Sequence, residues 1–124
     1  MRLGLPLAAA FSALFIAAAT PAWAGYGALA HDNATGKFGL SWDKQTQKEA
    51  DAAAMKDCGE GACTIVFRTR SHQCGAIATA TMEKSTAWGA GQGKAKSAAE
   101  LAAMTNCQKH TKGQCKVRAA GCNR

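Results

Sequence analysis

Ala50-Asp51-Ala52-Ala53-Ala54-Met55-Lys56-Asp57-Cys58 recurs later in the chain as Ala99-Glu100-Leu101-Ala102-Ala103-Met104-Thr105-Asn106-Cys107, with Ala, Ala, Ala, Met and Cys at five matching places. The landmarks around it recur as well. Gly27-Ala28-Leu29-Ala30 precedes the first copy and Gly75-Ala76-Ile77-Ala78 the second, with Trp42 and Trp88 about a dozen residues further on. After each copy come a Gly-containing loop, another Cys and a short run, Thr64-Ile65-Val66-Phe67 or Lys116-Val117. Ala-rich stretches match by chance, but an ordered series of Gly, Trp and Cys landmarks does not. Residues 25–124 therefore read as one domain made of two repeats, about 25–74 and 75–124, with Trp42 and Trp88 as equivalents that belong to the core.

Each repeat reads as strand, strand, helix, strand. In the first, Tyr26 to Ala30 and Lys37 to Trp42 flank the turn Asp32-Asn33-Ala34-Thr35-Gly36, where Asn and Gly tolerate the backbone angles a turn needs. The helix starts after Thr46, whose hydroxyl can cap while Glu49 reaches back. Ser97-Ala98-Ala99-Glu100 offers the same box in the second repeat. On each helix Ala50, Ala53, Ala54 and Cys58, or Ala99, Ala102, Ala103 and Cys107, share one face at i, i+3, i+4 spacing. The expected class is α+β: two pseudo-symmetric ββαβ halves, helices packed on an antiparallel sheet with the sheet on one side and the helices on the other, stapled by disulfides.

Of the 124 residues, the first 24 have the layout of a signal peptide. Arg2 is followed by the apolar stretch from Leu7 to Ala19 and by Ala22-Trp23-Ala24, small residues at −3 and −1 of a cut. The stretch is shorter than the ~20 residues a membrane span needs, so a cleaved leader is expected, with no transmembrane segment after it and a periplasmic or secreted location. Residues 25–124 hold twenty Ala and twelve Gly but only nine Leu, Ile, Val or Phe. So little apolar volume offsets ordering entropy poorly, at about 25 cal/mol per Å² against roughly 1.5 kcal/mol per ordered residue, so covalent staples are expected and a large enzyme with a deep cleft is not.

Six cysteines, Cys58, Cys63, Cys74, Cys107, Cys115 and Cys122, form an even set in a short exported chain, the mark of a disulfide framework. Fifteen pairings exist. The repeat favours Cys58 with Cys63, Cys107 with Cys115, and Cys74 with Cys122, the last pair read as the equivalent ends of the two halves, meeting near the twofold. Zinc on Cys107, His110 and Cys115 or on His72 and Cys74 is the competing reading, but neither set has paired C-x2-C spacing. No C-x-x-C supports a redox role. No metal and no cofactor are expected.

The run Tyr26-Gly27-Ala28-Leu29-Ala30, the stretch Gly39-Leu40-Ser41-Trp42, the Ala-rich helix closing in Cys58-Gly59 and the junction Cys74-Gly75-Ala76 resemble the exported bacterial family called domain of unknown function 4189. The resemblance covers nearly all of residues 26–124. It implies a small secreted domain with disulfides and carries over no catalytic residue.

Charge separates the repeats. Residues 25–74 hold six basic and six acidic side chains, whereas residues 75–124 hold eight basic against Glu83 and Glu100. The second half should present a basic surface of Lys94, Lys96, Lys109, Lys112, Lys116, Arg118 and Arg124, suited to an anionic envelope component or an acidic protein. Few aromatics remain to stack bases, and export argues against nucleic acid. His31-Asp32, Ser71-His72 and His110 could supply a hydrolase, but no G-x-S-x-G elbow supports one. Asp51 and Glu100 sit at equivalent helical places and read as exposed structural groups. Gly89-Ala90-Gly91-Gln92-Gly93-Lys94 lacks phosphate-loop spacing and reads as a flexible loop, and Asn33-Ala34-Thr35 as a hairpin turn. The expectation is a non-enzymatic exported binding protein, with a secreted effector or inhibitor of another protein as the alternative and a small hydrolase behind it.

Overall fold

The computed structural model describes residues 25–124, so the leader expected at 1–24 lies outside the described residues. The elements run β1 (Tyr26–His31), β2 (Phe38–Lys44), α1 (Gln47–Cys58), β3 (Thr64–Thr69), β4 (Cys74–Ala80), β5 (Trp88–Gly93), α2 (Lys96–Gln108) and β6 (Cys115–Cys122). Two ββαβ halves follow, each with a three-stranded antiparallel sheet, in the orders β2-β1-β3 and β5-β4-β6. Among the described residues no helix is long and apolar enough to cross a membrane.

Strand alternation gives every sheet two faces. Ala28 and Ala30 pack with Ala50, Ala54 and Cys58 of α1, and Ala76 and Ala78 with Ala99, Ala103 and Cys107 of α2. The residues between them, Leu29 and Ile77, point the other way and are also fully buried. Trp42 and Phe67 of the first half occupy the space beside Gly75, and Trp42 also that beside Gly121. The two sheets thus face each other, with one helix on each outer surface. This corrects the single sheet with helices on one side. Three strands per sheet leave an apolar inner face that only the other half can cover.

The Gly-rich stretch from Gly89 is strand β5, not a flexible loop. A Cβ at Gly89 would run into the backbone of Ala103 and Cys107, as one at Gly39 would into that of Ala54 and Cys58. Glycine here permits the helix to lie directly on the strand, the close approach that an Ala face on the helix also serves. Those contacts align Gly39 with Gly89, and the register agrees, since Ala30 pairs Gly39 and Ala78 pairs Gly89. His31 then pairs Phe38 where Thr79 pairs Trp88. Trp88 is therefore the counterpart of Phe38, and Trp42 that of Gln92, so the two Trp are not equivalent. Both are half-buried.

Thr46 caps α1, its hydroxyl accepting from Glu49 N at 3.1 Å. In α2 the cap is Ala95, which makes no side-chain bond, and Ser97 lies inside the helix. The matching of Ala50 with Ala99 places Ala95 opposite Thr46, so the second capping box does not form.

Cys58 is joined to Cys63, Cys107 to Cys115 and Cys74 to Cys122. Cys74 opens β4 and pairs directly with Cys122 on β6, so this bridge crosses neighbouring strands of the second sheet. It does not link equivalent ends of the two halves. With Cys107 and Cys115 joined to each other, the thiolates required by the zinc reading are absent.

Candidate functional site

Strand direction gives the sandwich two ends with different chemistry. At one end the chain termini are tied together. Asn123, 4% exposed, accepts from Asp43 N at 2.9 Å and donates to Thr69 Oγ1 at 2.7 Å and Arg70 O at 3.0 Å. Arg124 N donates to Asp43 Oδ1, and Gly25 N to Ser71 Oγ. Nothing in the sequence singled out Asn123, because its partners are 53 to 80 residues away.

At the other end lies Trp88. Its indole N–H donates to Asn33 Oδ1 at 3.1 Å, and its ring stacks on His31 with centroids 4.0 Å apart and planes 25° apart. A groove of about 810 Å³ runs along one side, lined by Val66, Lys84, Trp88, Asn106 and His110 among others. A smaller cavity of about 230 Å³, lined by His31, Phe38, Thr79, Trp88 and Arg118 among others, lies at the seam of the halves. Neither lining includes a carboxylate. Asn106 is fixed by donating to Ala90 O at 2.6 Å, while its counterpart Asp57 accepts from Leu40 N at 3.0 Å. One helical position thus anchors its strand in both halves with opposite hydrogen-bond polarity.

His31 is 2% exposed, and neither ring nitrogen has a hydrogen-bond partner. Burial pushes its pKa below the ordinary imidazole value, outweighing the nearby Asn33 amide and the Asp32 charge, which favour the proton. The ring is therefore neutral at pH 7. The Asp32 carboxyl is held below its usual value by the Ala34 N–H at 2.9 Å and by Thr35. It closes the turn rather than orienting His31.

The seven basic residues are all exposed but do not share one surface. Lys109 and Lys112 follow the carboxyl end of α2, and Lys116 and Arg118 lie on the part of β6 that pairs near Thr79, at the Trp88 end. Lys94 and Lys96 sit at the opposite end of α2, about 18 Å away for a helix of 13 residues at about 1.5 Å each. Arg124 is 4.0 Å from Asp43 in the terminal clamp. The residues weighed for a hydrolase are split as well. His31 is at the Trp88 end, while Ser71 holds Gly25 N at the end where β1 begins, roughly 17 Å of strand away. Asp51 does not face solvent alone: Arg68 grips it at 2.9 Å and Gln47 donates to it at 3.0 Å, and although partial burial works against ionisation, these bonds hold its carboxyl below the usual range. Among the described residues no group of three or more His, Cys, Asp or Glu could hold a metal ion.

Two ββαβ halves back to back, three disulfides and a terminal clamp define a small disulfide-stapled α+β module. The chain belongs to the family described as a domain of unknown function (DUF4189), whose model matches residues 26–122. Protein Rv1269c of Mycobacterium tuberculosis and protein Mb1300c of Mycobacterium bovis are each 42% identical over 53 residues, 43% of this chain and 40% of theirs. The match thus spans about two fifths of the length of these relatives. Among solved structures, the NMR structure of Rv1813c from Mycobacterium tuberculosis is similar with a TM-score of 0.57 and 27% identity, covering 80% of this chain and 75% of that one.

Proposed function

We propose that the protein is an exported, non-enzymatic binding protein whose Trp88 end, through the basic residues that the second half places there, takes an anionic envelope component or an acidic protein. The observation that carries this reading is the groove of about 810 Å³ beside Trp88, whose lining holds Lys84 and His110 and no carboxylate. Lys109, Lys112, Lys116 and Arg118 belong to the same end. Trp88 supplies a broad face pinned by Asn33, the kind of anchor a binding surface needs. Three disulfides and the leader pattern of residues 1–24 support export to a periplasmic or secreted location, because such bonds persist in oxidising compartments. The distance between Ser71 and His31 supports a role without hydrolysis.

The test is binding of the exported, oxidised protein to vesicles rich in anionic lipid and to an acidic polymer, at low and high salt. Binding should fall with salt. Replacing Lys112, Lys116 and Arg118 by Glu should weaken it by roughly fivefold or more per residue, at about 1 kcal/mol for each charge near an anionic surface. Replacing Lys94 and Lys96 by Glu should change it far less, since they lie beyond a Debye length of about 8 Å. Salt-insensitive binding, or equal effects from both ends, overturns the reading. A salt-resistant protein partner would favour the effector or inhibitor instead.

A further inference from the structure

We infer that the groove beside Trp88 takes an extended acidic segment of a partner protein, added as a strand to the edge of β5; this rests on the reading of the Trp88 end given above and narrows its partner. The sheet edges are guarded unequally. An edge strand exposes unpaired backbone groups, and proteins blunt such edges with charged side chains, proline or bulges. Three of the four edges described here carry such guards. Asp43 and Lys44 lie on β2, Arg68 on β3, and Lys116 and Arg118 on β6, and a register shift interrupts the ladder of each. β5, Trp88-Gly89-Ala90-Gly91-Gln92-Gly93, also ends its sheet, yet it carries no charge and pairs with β4 without a shift.

Its free backbone groups face the groove. Ala80 N donates to Ala87 O at 2.9 Å, and the unbroken ladder beyond turns the N–H and C=O of Trp88, Ala90 and Gln92 away from β4. The bond from Asn106 to Ala90 O at 2.6 Å agrees with that alternation. In the first half the matching helix residue, Asp57, takes the N–H of Leu40. Asn106 takes a carbonyl instead, which leaves the Ala90 N–H for an acceptor from outside. The groove of about 810 Å³ has Trp88, Gly89 and Ala90 in its lining, with Asn106 and His110 on the α2 side and Val66 on the β3 side. Gln92 marks its far limit, since its Nε2 donates to Arg68 O at 2.7 Å and ties β5 to β3. The opening between these walls suits one more strand. Main-chain groups line it, and Val66, 38% exposed, offers a contact for an apolar side chain.

Charge selects the occupant. Lys84 and His110 line the groove and no carboxylate does, while Lys109 and Lys112 lie at the same end. A second copy of this chain, paired antiparallel through β5, would bring Lys84 of one copy toward Lys94 and Lys96 of the other. Each second half holds eight basic residues against two acidic ones, so that pairing opposes like charges. An acidic segment meets the same charges favourably, and a protein supplies the backbone donors and acceptors that a lipid surface lacks.

The full chain, expressed with its leader, recovered after export with its disulfides formed and labelled with 15N, can be titrated with a blocked octapeptide of alternating glutamate and valine. Two further peptides of equal charge carry N-methyl groups on the glutamate amides or on the valine amides. The plain peptide should shift the backbone amides of Trp88 and Ala90 saturably and slow their hydrogen exchange. One methylated peptide should bind at least tenfold more weakly and the other nearly as well as the plain one, because alternate amides of a strand face its neighbour. Ala90→Pro removes an outward N–H and no bond to β4, and it should weaken the plain peptide at least tenfold. No saturable response, equal binding of all three peptides, undiminished binding by Ala90→Pro, binding of anionic vesicles without the peptide, or dimerisation through β5 in sedimentation overturns strand addition. Salt-dependent binding to vesicles or acidic polymer would survive those outcomes, whereas its absence overturns the basic-end reading itself.

Discussion

At the scale of single residues, His31 couples the fold to pH. Burial keeps its folded pKa below the unfolded value of about 6.5, so below that pH the unfolded chain takes up a proton that the folded chain refuses. Its contribution to stability is therefore complete above about pH 6.5 and is lost as pH falls through that value toward the folded pKa. Thermal unfolding followed from pH 7.5 down to 5.5 should show a falling Tm, and His31→Phe should flatten the curve while exposed His72 and His110 remain. An unchanged slope in the variant would assign the effect elsewhere. Neither the burial of His31 nor the inequality of the two Trp was legible in the sequence. Residue spacing along the chain matched Trp42 to Trp88, but strand register, which depends on bulges and on which glycine meets the helix, matches Trp88 to Phe38.

At the scale of elements, the two helices differ at their starts although their faces repeat. Thr46 satisfies Glu49 N, so Thr46→Ala should cost about 1 kcal/mol in chemical denaturation. Ala95 has the same extended backbone, φ −121° and ψ 149°, with no side chain to cap α2. Ala95→Ser should stabilise the protein by about 1 kcal/mol, and a loss of stability would show that α2 starts elsewhere. Periodicity and small-residue faces made the helices and their buried stripes readable, because those signals are local. The assignment of Ser97 as a cap failed because an S-x-x-E pattern also occurs inside a first turn, and only the packing of α2 on β5 decides where that turn begins.

At the scale of the whole molecule, the termini and the seam decide how firmly the halves hold together. Asn123→Ala would leave Asp43 N and the fully buried Thr69 hydroxyl without their partner, at about 1–3 kcal/mol for each group stranded. A loss of roughly 2–4 kcal/mol is expected, which for a domain of this size lowers Tm by about 10–25 °C. Hydrogen exchange at Asp43 and along the end of β6 should accelerate, while the Trp88 indole N–H at the far end stays protected. If the Trp88 end loosens equally, the clamp is not local. The repeat, the helix faces, the cysteine framework and the excess of positive charge in the second half were determined by the sequence itself, since each is a matter of residue type and short-range spacing. Only the tertiary structure decided that two separate sheets meet face to face, that the basic residues divide between two ends, and that His31, Trp88 and Arg118 share one cavity. Those outcomes depend on how one half covers the apolar face of the other, and contacts between halves leave no periodic trace in either.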